Sequence, residues 1–277
     1  MNPSFFYRFF LSFLLLFKGL VSAELSHSVP KSGWSEITFA GTFPQADAEE
    51  VKWRLHSVEN PGNFDVRNEQ FRLFVPPGVP QSEPLGVLVW VDSGNAPQIP
   101  TPWEKIFTAR RLLCVCALRS GNSRNIFDRM RMALHASYGI RTRFKVDESR
   151  IYVSGFSGGA RVASMLGVAW PDLFSGSVSF MGANFYTEIP SSNGKIFAPS
   201  FIPDDQALAM AKKDSRHVLV TAEKDFNRAE IFSVYENGYR KEKFRAVTLL
   251  EVPQLGHSIP DSSWLEKALL FLDGARH

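Results

Sequence analysis

A serine hydroxyl is a weak nucleophile until it stands clear of its own backbone with a base in reach. Residues 150–164, RIYVSGFSGGARVAS, supply the local geometry for that. The run from Ile151 to Ser154 reads as a strand. Gly158, Gly159, Ala160 and Ala163 read as the start of a helix that packs on a sheet. Ser157 lies at the corner between them. So tight a corner forces strand and helix together, and the residues two before and two after the serine must be nearly without side chains. They are Gly155 and Gly159. Gly-x-Ser-x-Gly on a strand, turn and helix is the pattern of a nucleophile elbow.

A nucleophilic serine needs a base, and the base an acid that sets its tautomer. In EVPQLGHSIPDSSW, His257 follows the last strand by a short loop and precedes the last helix, which puts it at the same sheet edge as the elbow. His27, His56, His135, His217 and His277 lack that placement. The acid should follow another strand, between serine and histidine. HVLVTAEKDFNRAE offers Glu223 and Asp225. Asp225 is the better choice, since it lies further past the apolar run and just before a helix; its other reading is a helix cap. Ser157, Asp225, His257 is the chain order of α/β-hydrolases rather than of the chymotrypsin or subtilisin types. The oxyanion of acyl transfer needs backbone donors. One is the N–H of Gly158, and by analogy the other comes from the loop after VLVWV, from Ser93 or Gly94. Asn122 and Arg124, after a further strand, could hold a polar substrate group, although capping explains Asn122 equally well. Trp90, Trp103, Asn184, Phe185 and Tyr186 lie near strand ends, where they line a pocket or fill the core.

The elements that must position these groups alternate along the chain. QFRLFVPP, PLGVLVWVDSGN, LLCVCAL, the elbow strand, GSVSFMGANFY, RHVLVTAEKD and RAVTLLEVP read as strands. Helices are read in TPWEKIFTARR, SRNIFDRMRMALHASYGI, the elbow helix, PDDQALAMAKK, RAEIFSVYENGYRKE and DSSWLEKALLFLDGA. Strands apolar on both faces and alternating with helices imply a mainly parallel, doubly wound sheet covered by helices on both faces. Reactive groups then collect at the carboxyl ends of the strands. Residues 24–68 are the least readable part; ITFAG, VKWRLHS and NPGNFDV look like short strands and turns.

The 277 residues, 44% hydrophobic with a net charge of +3, suit one large α/β domain over residues 24–277. The basic excess is slight. Its densest cluster, in RSGNSRNIFDRMRM, falls on an amphipathic helix where charges form a solvated face, so nucleic acid is not an expected partner. At the start of the chain, Arg8, an apolar core from Phe9 to Phe17 and the small-x-small end Val21-Ser22-Ala23 read as a signal peptide, residues 1–23. The apolar core is short of the about 20 residues of a membrane span. The expected location is therefore extracytoplasmic, secreted or periplasmic. Cys114 and Cys116, two apart on a strand, have Cα atoms roughly 6.5 Å apart on one face, poor geometry for a disulfide, and are expected as buried thiols. No metal-ligand spacing occurs, and no cofactor is called for.

VDESRIYVSGFSGGARVASMLGVAWPDLFSG (146–176) together with GHSIPDSSWLEKAL (256–269) resembles the polyhydroxybutyrate depolymerase and feruloyl esterase branch of the α/β-hydrolase superfamily, over roughly residues 70–275. The resemblance implies the α/β-hydrolase fold with an eight-stranded sheet, a serine esterase activity, and the triad on Ser157, Asp225 and His257. Many of those relatives carry His-Gly after the strand that corresponds to VLVWV; here Asp92-Ser93-Gly94-Asn95 stands there. The expected function is an exported serine hydrolase that cleaves small-molecule or oligomeric esters. The alternatives are a peptidase of short peptides and an inactive binding protein of the same fold.

Overall fold

The structure is a computed structural model that describes residues 31–80, 82–191 and 194–274. The segment read as a signal peptide, 1–23, lies outside them. After β1 (Gly33–Ile37) come a helix α1 (Ala48–Arg54), β2 (Phe71–Val75) and β3 (Leu85–Val91). Then follow α2 (Trp103–Ala109), β4 (Leu112–Ala117), α3 (Ile126–Arg141) and β5 (Val146–Phe156). The second half holds α4 (Gly158–Ala169), β6 (Gly176–Phe180), a two-stranded hairpin of β7 (Ile189–Pro190) and β8 (Ile196–Phe197), and α5 (Asp205–Asp214). It closes with β9 (Arg216–Ala222), α6 (Arg228–Ser233), β10 (Ala246–Val252) and α7 (Ser262–Asp273).

Eight strands form one sheet in the order β1-β2-β4-β3-β5-β6-β9-β10. β2 runs antiparallel to both β1 and β4, and every pairing from β4 to β10 is parallel. A strand alternates its side chains between two faces, and β3 shows what each face meets. Val87, Val89 and Val91 join the core under α3 and α4, with Met130, Leu134, Val162 and Leu166. Leu88 and Trp90 join the opposite core under α2 and α7, with Trp103, Phe107, Leu265 and Leu269. This two-sided burial accounts for strands with no polar face. β10 differs: it is an edge strand, and of its seven residues only Val252 is fully buried.

Three expectations need correction. VKWRLHS is no strand: its first half closes α1, which begins at Asp47, whose side chain accepts the Glu50 N–H at 3.0 Å, and carries Glu49 and Glu50 at its start and Lys52 and Arg54 at its end. The charges of α3 are not all solvated, because Arg129 and Arg131 are buried. Arg129 Nε donates to Ser120 O at 2.7 Å, and Arg131 Nε donates to Ala46 O at 2.8 Å. A guanidinium with five donors can be buried where backbone carbonyls meet it. The helix read through RAEIFSVYENGYRKE is α-helical only to Ser233 and widens into a π-helix over Val234–Arg240. Cys114 and Cys116 are free and buried on β4, and burial pushes the Cys116 thiol up to about 12.

Candidate active site

The corner between β5 and α4 is built from backbone contacts that only glycine permits. A Cβ on Gly155 would lie 2.5 Å from Val91 O and from Gly159 C, and one on Gly159 would lie 2.0 Å from Val91 O. With those contacts made, Ser157 takes φ 55° and ψ −119°, a conformation that L-residues rarely hold. Its N–H is fixed on Phe180 O at 2.8 Å. Oγ is thereby left facing outward at the carboxyl ends of the strands.

His257 comes to it from the loop after β10. Ser157 Oγ–H donates to His257 Nε2 at 2.9 Å, and His257 Nδ1–H donates to Asp225 Oδ1 at 2.7 Å. The Asp225 side chain is wholly buried. It also accepts the Thr221 hydroxyl at 3.2 Å and the Asn227 N–H at 3.0 Å; the helix that follows has Asn227 as its cap residue and no side-chain cap, so Asp225 holds the turn before it rather than capping it. Glu223 is elsewhere. It accepts the N–H and the side-chain amide of Gln254, at 2.8 and 3.0 Å, while Lys224 N–H donates to Leu255 O at 2.9 Å. These bonds fasten the loop that carries the base to the loop that carries the acid. The imidazole sits between Phe226, stacked at 4.1 Å, and Phe156, tilted at 5.0 Å.

The Asp92-Ser93-Gly94-Asn95 loop has its own scaffold. The Asp92 carboxylate, 3% exposed, accepts the Gly94 N–H at 2.9 Å, the Gln98 N–H at 2.8 Å and Trp90 Nε1–H at 3.0 Å. Arg129 Nη2 donates to Asp92 O at 2.9 Å. Burial lowers the pKa of this guanidinium. The Gly94 N–H is thus engaged, while neither the Ser93 N–H nor the Gly158 N–H has an acceptor among the described residues. Of the two sequence alternatives for the second donor, Ser93 is the one whose N–H is unengaged.

Most of the other candidates have structural roles. Arg124 is held by Glu69 in two bonds of 3.0 and 2.6 Å and by Asp128, and Asn125, not Asn122, caps α3. Trp90, Trp103 and Phe185 are core. Tyr186 donates to Glu242 at 3.0 Å, and Asn184 accepts Arg161 Nη1 at 3.2 Å. Asp92, Arg129 and Phe226 were not read from the sequence as parts of the site. Only Asp92 carries a visible signal, a lone acid at the end of a fully apolar strand. Among the described residues no group of three or more His, Cys, Asp and Glu side chains could hold a metal ion. No described helix is long and apolar enough to cross a membrane.

No family model matches the chain, and no curated relative matches it. Solved structures do. An S-formylglutathione hydrolase of Staphylococcus aureus superposes with a TM-score of 0.57 at 10% identity, covering 87% of this chain and 98% of that one. Esterase 2 of Thermogutta terrifontis, in a form phosphorylated by paraoxon, gives 0.51 at 15% identity over 77% and 90%. A candidate dipeptidyl aminopeptidase IV of Bacteroides ovatus gives 0.54 at 13% identity over 76% of this chain, which spans about a third (34%) of that protein. At such identities the shared property is architecture. With its eight-stranded, mostly parallel sheet flanked by helices, the chain has the α/β-hydrolase fold.

Proposed function

We propose that the protein is an exported serine hydrolase that cleaves carboxylic esters through an acyl-enzyme on Ser157. The observation that carries the reading is the pair of hydrogen bonds from Ser157 Oγ through His257 to a buried Asp225, at 2.9 and 2.7 Å, on a strained elbow. In this reading His257 Nε2 takes the hydroxyl proton as Oγ attacks the ester carbonyl. The oxygen that becomes negative faces the N–H groups of Gly158 and Ser93. Collapse of the adduct expels the alcohol, which leaves with the proton from Nε2. Water, activated by the same nitrogen, then releases the acid. Asp225 holds the tautomer with hydrogen on Nδ1 and stabilises the imidazolium.

Phe226 and Phe156 flank the base with apolar surface, which favours an uncharged alcohol. The esterase and hydrolase named among the structural neighbours support ester chemistry, and the phosphoryl group that paraoxon leaves on one of them is the adduct type a reactive serine forms. Runs 146–176 and 256–269 support placement beside the polyhydroxybutyrate depolymerase and feruloyl esterase branch. The aminopeptidase neighbour favours a second reading, hydrolysis of short peptides.

The test is mass spectrometry of the protein from Glu24 onward after exposure to a fluorophosphonate, with p-nitrophenyl acetate turnover measured alongside. The expected result is one adduct on Ser157 with turnover, both lost in His257→Ala. A folded protein with neither adduct nor turnover refutes the reading. Cleavage of short peptides but not of acyl esters replaces the ester with the peptide. Export is checked by the amino terminus of the protein recovered outside the cytoplasm, expected at Glu24.

A further inference from the structure

Asn122 lies on the loop between β4 and α3, and its usual explanation is gone, because the helix is capped by Asn125, whose side chain accepts the Phe127 N–H at 2.8 Å. The loop is held on all sides. Asn122 N–H donates to Ser93 O at 2.9 Å and Arg119 N–H to Asn95 O at 2.7 Å. Gly121 N–H donates to Asn95 Oδ1 at 3.2 Å, and Arg129 grips Ser120 O from below. One residue thus ties the oxyanion loop to the nucleophile: its backbone bonds to Ser93, while its carboxamide lies against Gly158. A Cβ on Gly158 would fall 2.0 Å from Asn122 Oδ1, 2.6 Å from Cγ and 2.8 Å from Nδ2. The side chain is exposed and makes no hydrogen bond among the described residues. A carboxamide with both N–H donors unused, on a braced loop, borders Gly158, one of the two residues whose N–H meets the substrate oxygen in the reading above.

From this placement we infer that Asn122 supplies a third donor to the ester carbonyl oxygen as it becomes negative, beside Gly158 N–H and Ser93 N–H. The inference rests on the serine hydrolase reading above. Rotation about χ2 exchanges the ends of the carboxamide and presents the NH2 group to that oxygen at no cost in other contacts. The same proximity bears on the glycine immediately after Ser157. Gly155 and Gly159 meet backbone, whereas a Cβ on Gly158 would meet only the end of the Asn122 side chain, which can move.

The experiment compares Asn122→Ala, Asn122→Asp, Gly158→Ala and the double variant Asn122→Ala with Gly158→Ala, with p-nitrophenyl acetate as substrate and melting temperature as the check on folding. Loss of one oxyanion donor costs about 100- to 1000-fold in kcat where it is one of few; with two backbone donors kept, about 10- to 100-fold is expected for Asn122→Ala, with KM within about twofold. Asn122→Asp puts a like charge at the developing oxyanion and should lose at least as much. Gly158→Ala keeps its N–H but pushes the carboxamide away, so it should lose as much as Asn122→Ala, and the double variant no more than either. An unchanged kcat in Asn122→Ala, a rise in KM alone, full activity in Asn122→Asp, or multiplying losses in the double variant overturns the inference and leaves the hydrolase reading standing. A folded wild-type protein with neither turnover nor a Ser157 adduct overturns both.

Discussion

Asp92→Asn changes one atom type and leaves the volume unchanged, yet it should disturb both stability and rate. The native carboxylate accepts three hydrogen bonds, Trp90 Nε1–H and Gln98 N–H on Oδ2 and Gly94 N–H on Oδ1. An amide has one acceptor oxygen and one NH2 group, so it cannot face all three donors. With NH2 toward Trp90 and Gln98 it loses two bonds and opposes two donors; with NH2 toward Gly94 it loses one. The variant therefore takes the second arrangement. A hydrogen bond to a charged group contributes about 1.5–3 kcal/mol, and leaving a donor unsatisfied at a site only 3% exposed adds to the loss. Together these give about 2–4 kcal/mol of destabilisation. The broken bond is the one that shapes the turn at Ser93. If Ser93 N–H is an oxyanion donor, kcat on p-nitrophenyl acetate should fall about 100-fold with little change in KM. Urea unfolding and steady-state kinetics read the two effects separately. Stability within about 0.5 kcal/mol of wild type would refute the hydrogen-bond argument. Loss of stability with kcat intact would show that Asp92 holds the loop while Ser93 N–H plays no part in the reaction.

Gly159→Ala should be far more damaging than Gly158→Ala, since its Cβ would meet backbone, 2.0 Å from Val91 O, rather than the end of a side chain; overpacking of this kind costs about 1–3 kcal/mol or more, and a soluble variant of wild-type stability in urea would disprove the close-approach argument. Stability should decline with acid. Burial holds His217 down at about 3, and burial with Arg131 nearby holds His135 at about 4, both below the unfolded value near 6.5. The unfolded chain therefore takes up these protons first. Their contribution is complete above pH 6.5 and shrinks as pH falls, by at most about 1.4 kcal/mol per pH unit for each histidine, down to about 4 and 3. Urea midpoints flat between pH 7.5 and 5, or a slope unchanged in His217→Leu, would contradict this. Phe226, 76% exposed and stacked on His257, should act on the alcohol side. Phe226→Ala is expected to raise KM for aryl esters about 2- to 10-fold over methyl esters, and an equal change for both would dismiss it.

What the sequence made legible was local or periodic. The elbow could be read because one short run carries strand, corner and helix together, and Asp225 and His257 as candidate partners because each follows a strand. The scaffold of the oxyanion loop could not. It depends on contacts between residues far apart in the chain, Asp92 with Arg129 and Ser93 with Asn122, for which no pattern exists along the chain. Arg129 and Arg131 were misjudged because amphipathic spacing reports charge, and cannot show that backbone carbonyls await the guanidinium groups. α1 had a usable signal in Asp47 and the acids that follow it, overlooked because the alternation in VKWRLHS also suits a strand. Gly94 and Ser93 looked equivalent until the carboxylate of Asp92 was seen to take one of them.

The position of β10 bears on how the molecule would fail. It is an edge strand, bonded on one side only and mostly half-buried, and His257, the base of the proposed reaction, hangs from the loop after it. Ser157, the nucleophile of the proposed reaction, by contrast follows directly on β5, in the middle of the sheet. Fraying at a sheet edge needs less free energy than global unfolding, so warming would detach the base while the central strands stay intact. Inactivation would precede melting, and it would reverse on cooling, with amides of β10 exchanging their hydrogens well before those of β5.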